Sequence, residues 1–108
     1  MDMRQAFGRA LKARRLQRQL TQEDFSDVSS RTYLSTLERG MKCPTLDKVV
    51  ELASVLGVHP LTLIAESFVA LDSHQSLESL LARVQMEAQE ATGVPRVSQP
   101  INAMQADT

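Results

Sequence analysis

Few residues in this chain could form or break a bond. Its 108 residues hold one cysteine, Cys43, and two histidines, His59 and His74. A lone thiol excludes an intrachain disulfide, and neither histidine has a neighbour at metal-ligand spacing, so no metal and no other cofactor is expected. No nucleophile, base and acid form a set that would drive a reaction, which leaves an enzyme as a distant reading. Cys43 follows Lys42, so its thiol is either a redox-sensitive group or simply a small loop residue. The stronger signal is non-covalent. Between residues 30 and 39 a helical period puts Leu34 and Leu37 on one side and Arg31, Thr32, Ser35 and Thr36 on the other.

The charge distribution points to a polyanion. The net charge is −1, yet residues 1–48 contain ten of the twelve Lys and Arg against six Asp and Glu, while residues 49–108 contain two against seven. A basic first half and an acidic second half suggest a face for nucleic acid and another for protein contacts. Met1-Asp2-Met3-Arg4 lacks the apolar stretch of a signal peptide, and no apolar run approaches the roughly 18 residues that span a bilayer. A cytoplasmic setting without membrane contact is expected.

The elements that must position these residues are helical. Low aromatic content, four Gly and four Pro leave long stretches of good helix formers, which gives an all-α fold class. A first helix is expected over 3–19, with Met3, Phe7, Ala10, Leu11 and Leu16 near the spacing of one apolar face. Thr21 and Asp24 form a cap signature for a short helix over 22–28, with Phe25 and Val28 inward. Ser30 caps the next helix, through Arg39, and Gly40 ends it in a left-handed conformation. Thr45 caps a fourth helix that stops at Gly57, and Pro60 opens a fifth that reaches about Ala70. Asp72 or Ser73 caps a sixth, through about Ala91, in which Leu77, Leu80, Leu81 and Val84 form an apolar stripe. Residues 93–108 contain Pro95 and Pro100 and no period, and read as a flexible tail.

Two short helices joined by a tight turn, the second with a polar outward face, make a helix-turn-helix unit. Leu20-Thr21-Gln22-Glu23-Asp24-Phe25, Tyr33-Leu34-Ser35-Thr36-Leu37-Glu38-Arg39-Gly40, Pro44-Thr45-Leu46 and Leu52-Ala53-Ser54-Val55-Leu56-Gly57-Val58 resemble the phage-repressor (Cro/C1, Xre) type of helix-turn-helix domain. The resemblance covers about residues 7–66. It implies a five-helix lambda-repressor-like domain whose third helix, residues 30–39, enters the major groove of double-stranded DNA, usually as a dimer on a pseudo-palindrome. It places Arg31, Thr32 and Thr36 at base-reading positions, where an arginine fork suits O6 and N7 of guanine. Gln22 falls where a side chain and free N–H groups at a helix start hold a phosphate. Ser30, Tyr33, Ser35 and Lys42 are further phosphate candidates, although the Tyr33 ring could equally pack at the core edge. Arg15 and Glu38 match a structural ion pair. The segment Ser26-Asp27-Val28-Ser29-Ser30 departs from the family by being about two residues shorter and lacking a glycine, which predicts an early end to the second helix.

The expected organisation is a DNA-binding domain over 1–70, an added amphipathic helix over 71–92 and the tail. Leu77, Leu80, Leu81 and Val84 must bury their stripe, either against their own domain or against a second copy, with Leu61, Ile64 and Phe68 adding to a dimer contact. The function so implied is a homodimeric repressor or autoregulator. The alternative is an antitoxin-type protein whose acidic second half binds a partner toxin.

Overall fold

Hydrogen-bonding side chains at helix starts set the boundaries of the chain's elements. A computed structural model describes residues 1–92. They fall into two units, residues 1–77 and a second that begins at Glu78. The first comprises α1 (Met3–Gln17), a 3-10 helix (Gln22–Phe25), α2 (Arg31–Glu38), α3 (Leu46–Leu56) and α4 (Pro60–Leu71); the second is formed by α5 (Leu77–Thr92) after its first residue. The described residues contain helices and no strand.

Asp2 caps α1 by accepting the Gln5 N–H at 2.9 Å, while the Gln5 side chain accepts the Asp2 N–H at 2.9 Å. The Gln5 N–H, and then the Arg4 guanidinium, hold the Asp2 carboxyl below its ordinary pKa. Ser30 Oγ accepts the Tyr33 N–H at 3.0 Å and starts α2. Thr45 Oγ1 does the same for Lys48 at 3.1 Å and starts α3. Gly57 ends α3 at φ 71°, a conformation that costs glycine least. Pro60 occupies the first position of α4, and His59 Nδ1 accepts the Leu61 N–H at 3.0 Å, which gives this histidine a capping role.

Three boundaries differ from the sequence reading. The first helix stops at Gln17 because Gln19 turns left-handed at φ 59° and the Leu20 N–H folds back on the Arg15 carbonyl. The helix expected over 22–28 is a single 3-10 turn. The Ser26 N–H bonds to Glu23 and the Val28 N–H to Phe25, an i to i+3 pattern that winds tighter than an α-helix. The last helix starts at Leu77, not beside Asp72 or Ser73. Asp72 closes a turn of its own through the N–H groups of His74 and Gln75, so it caps no helix. The expected tail, 93–108, lies outside the described residues.

The core of the first unit gathers Phe7 and Leu11 from α1, Phe25 from the 3-10 helix, Leu34 and Leu37 from α2, Leu52 and Leu56 from α3, and Leu63 from α4. α1 packs chiefly on α4 and also on α2. The α3 helix is apolar on more than its buried face. Leu46 is 75% exposed and Val50 53% exposed, while Val49, Leu52, Ala53 and Leu56 face inward. No single helix among the described residues is long and apolar enough to cross a membrane.

Gly8 sets how closely α1 approaches the end of α2. A Cβ there would lie 2.3 Å from the Leu37 carbonyl oxygen and 2.8 Å from that of Glu38. Both obstacles are backbone atoms, so relief requires the helices to separate. Gly8→Ala is therefore expected to destabilise the domain by about 1–3 kcal/mol, the usual penalty for overpacking. Urea unfolding followed by circular dichroism measures it. A variant with an unchanged midpoint would show that the two helices are not in this contact.

Candidate nucleic-acid interface

The helix bearing the polar face is only eight residues long, from Arg31 to Glu38, too short to be stable alone. Its anchoring is tertiary. Leu34 and Leu37 are fully buried, and Glu38 at its end meets Arg15 of α1 in a two-pronged ion pair. Arg15 Nε donates to Glu38 Oε2 at 2.6 Å and Nη2 donates to Oε1 at 2.9 Å. The third nitrogen, Nη1, donates to the Leu20 carbonyl at 3.0 Å. The side chains are 10% and 5% exposed. Hydrogen bonding to the carboxylate raises the Arg15 pKa above its ordinary value despite burial. Gln22 joins the same group, its Nε2 donating to Glu38 Oε1 at 3.3 Å. One carboxylate thus ties together α1, the start of the 3-10 helix and the end of α2.

The opposite face of α2 carries the polar residues. Arg31 and Thr32 are exposed in its first turn. Arg31 Nη1 lies 3.7 Å from Glu23 Oε1, a loose pair whose side chains are 73% and 67% exposed; such pairs contribute little energy. Thr36 is half-buried and its Oγ1 donates to the Thr32 carbonyl at 2.9 Å, turning the hydroxyl back on its own helix. Ser35 is half-buried. The Ser30 hydroxyl is engaged as the cap, and Lys42 is exposed in the loop after α2. Tyr33 packs partly against the core, with Lys48 Nζ 6.0 Å from its ring centre.

Two residues here carried no signal in the sequence reading. Glu23 faces Arg31. Lys48 bridges from α3 to the Val28 carbonyl, in the short turn before α2, and pairs with Glu51 at 2.7 Å. Spacing along one helix could have suggested Lys48 with Glu51, but not the reach to Val28. Among the described residues no group of three or more His, Cys, Asp or Glu could hold a metal. Cys43 is exposed. The apolar candidates belong to two other helices. On α4, Leu61 and Phe68 are exposed and Ile64 packs partly on the core. On α5, Leu77, Leu81 and Val84 are exposed and Leu80 is half-buried.

This arrangement matches known proteins. A family model described as helix-turn-helix matches residues 11–63. The HTH-type transcriptional regulator y4dJ of Sinorhizobium fredii (strain NBRC 101917 / NGR234) is 42% identical over 66 residues, covering 59% of this chain and 86% of that protein. The chain belongs to the helix-turn-helix family of transcriptional regulators. The matched span of this regulator takes in α1 from Leu11 onward, the 3-10 helix, α2, α3 and the start of α4. The crystal structure of the clp gene regulator ClgR from Corynebacterium glutamicum shares the fold, with a TM-score of 0.61 and 21% identity, covering 88% of this chain and 98% of that one.

The buried pair makes a direct prediction for this helix-turn-helix regulator. Glu38→Leu alone leaves the Arg15 guanidinium buried without its partner and should cost on the order of 3–5 kcal/mol in unfolding free energy. Adding Arg15→Met removes the stranded charge and should restore most of that stability. Equal destabilisation in the single and double variants would contradict a coupled pair.

Proposed function

We propose that the protein binds a pseudo-palindromic operator as a homodimer, with α2 in the major groove, and represses transcription there, its own gene being the first target to examine. The observation that carries this reading is the division of α2. Two fully buried leucines and a buried ion pair fix one face, leaving Arg31 and Thr32 exposed at a capped helix start. A rigid helix with donors and acceptors on its free side is what base-edge readout requires. In this reading Arg31, Thr32 and Thr36 face the bases, and Gln22, Ser30, Tyr33, Ser35 and Lys42 face the phosphates. Thr36 is the least committed of the base readers, because its hydroxyl already bonds to Thr32. Residues 1–70 serve as the DNA-binding domain in the cytoplasm, and residues 71–92 serve self-association.

Footprinting on the DNA upstream of the gene tests the reading. Binding there should weaken steeply with salt. Arg31→Ala should cost about 1–3 kcal/mol at the cognate site and flatten the preference at one base pair per half-site. A footprint that is absent, or a base preference unchanged by Arg31→Ala, would overturn the assignment of α2.

The dimer is supported by exposed apolar side chains on two helices, Leu61 and Phe68 on α4 and Leu77, Leu81 and Val84 on α5. Leaving such area in water is unfavourable by roughly 25 cal/mol per Å², and a two-fold pairing of the half-site readers doubles the DNA sequence read. Leu80→Asp with Val84→Asp should give a helical monomer by sedimentation with weakened operator binding. A dimer of full affinity would remove α5 from the interface.

A further inference from the structure

The basic residues of the first unit divide into two groups. Arg4 pairs with Asp2, Arg14 with Glu66, Arg15 with Glu38, Arg31 with Glu23 and Lys48 with Glu51. Arg9, Lys12, Arg18, Arg39 and Lys42 have no ion-pair partner among the described residues and are exposed, and three of these five, Arg9, Lys12 and Arg39, form a cluster. These three line one cleft together, with Met1, Gln5 and Glu38. The Glu38 carboxylate does not neutralise them, because Arg15 already occupies it.

Helical spacing builds one wall of this cleft, and Arg39 with Glu38 supplies the other. Gln5, Arg9 and Lys12 stand at i, i+4 and i+7 along α1, on one face. Thr32, Thr36 and Arg39 stand at the same offsets along α2 and its cap, so Arg39 extends the stripe assigned above to the bases. Gly8 brings the two walls together, since any Cβ there would overlap the Leu37 and Glu38 carbonyls. Three cations held close without a counter-charge repel one another. An anion in the cleft would relieve that repulsion.

We propose that Arg9, Lys12 and Arg39 form a phosphate site at the far end of the recognition face. One source of the phosphate is the DNA backbone beyond the bases that α2 reads; the other is a free phosphate-bearing molecule. The DNA source rests on the function proposed above, while the chemistry of the site does not. A backbone contact here would add affinity and orientation without changing base preference.

The test compares the full chain with Arg9→Gln/Lys12→Gln, using Arg18→Gln, another exposed cation without an ion-pair partner, as the control. Operator affinity is measured across a salt series, and thermal unfolding is measured with and without inorganic pyrophosphate. For the DNA source, the logarithmic salt slope should become shallower by about 0.9 for each phosphate that the variant no longer neutralises, with base preference intact and the Arg18→Gln slope unchanged. For the free source, pyrophosphate should raise the melting temperature of the parent and not of the double variant. The proposal is overturned if the double variant matches the parent in both measurements. It is also overturned if Arg18→Gln flattens the slope as much per charge, which would mark a diffuse field. Failure of the parent to bind any DNA would remove the proposed function and leave the pyrophosphate comparison to decide the site.

Discussion

The ion pair between Arg15 and Glu38 is the constraint on which the rest of the domain depends. It stands where three segments meet, and each uses it differently. α1 supplies the cation, α2 ends on the anion, and the chain entering the 3-10 helix is held through the Leu20 carbonyl and the Gln22 amide. Desolvating two charges is costly, and hydrogen bonds to every available nitrogen offset that cost. An apolar contact of the same size would bury as much area without fixing an angle. The directional pair sets the pose of an eight-residue helix that has too few internal hydrogen bonds to hold one by itself.

Close approach and charge placement follow from that pose. Gly8 admits the end of α2 against α1, and Gly40, at φ 74°, turns the chain away beside Gln5. With its inner face fixed in this way, α2 exposes Arg31 and Thr32 at its start. The same packing brings Arg39 beside Arg9 and Lys12 at its end. Basic side chains therefore stand at both ends of one helix, in a protein whose net charge is −1. Distribution, not the total, carries the electrostatic argument.

Local chemistry in this chain is legible where a single side chain decides the outcome. Ser30 and Thr45 announce helix starts, Pro60 a first turn and Gly57 a stop, because each satisfies or removes one particular backbone group. The all-α class and the helix-turn-helix family are legible for the same reason, repeated in the right order. The sequence misleads where the outcome is set by neighbours distant along the chain or by competition between similar local states. The segment through Ser26 to Val28 reads as a continuing α-helix, yet tight i to i+3 bonds confine the helix to Gln22–Phe25. Asp72 has the residue type of a cap and instead closes its own turn, well before α5 begins at Leu77. Nothing local marks Gly8 as a contact point or places Glu23 against Arg31. The Arg15 and Glu38 pair is available only through family resemblance, since 23 residues separate its members in sequence.

The central claim is that the exposed start of α2 reads a base edge in the major groove through Arg31. Methylation interference addresses it directly, because a methyl group on guanine N7 blocks one of the two acceptors an arginine fork uses. The account predicts that methylating one guanine per half-site abolishes binding by the parent protein. The same methylation should make no difference to Arg31→Ala. Binding indifferent to N7 methylation at every guanine, or interference that persists unchanged in Arg31→Ala, would contradict it.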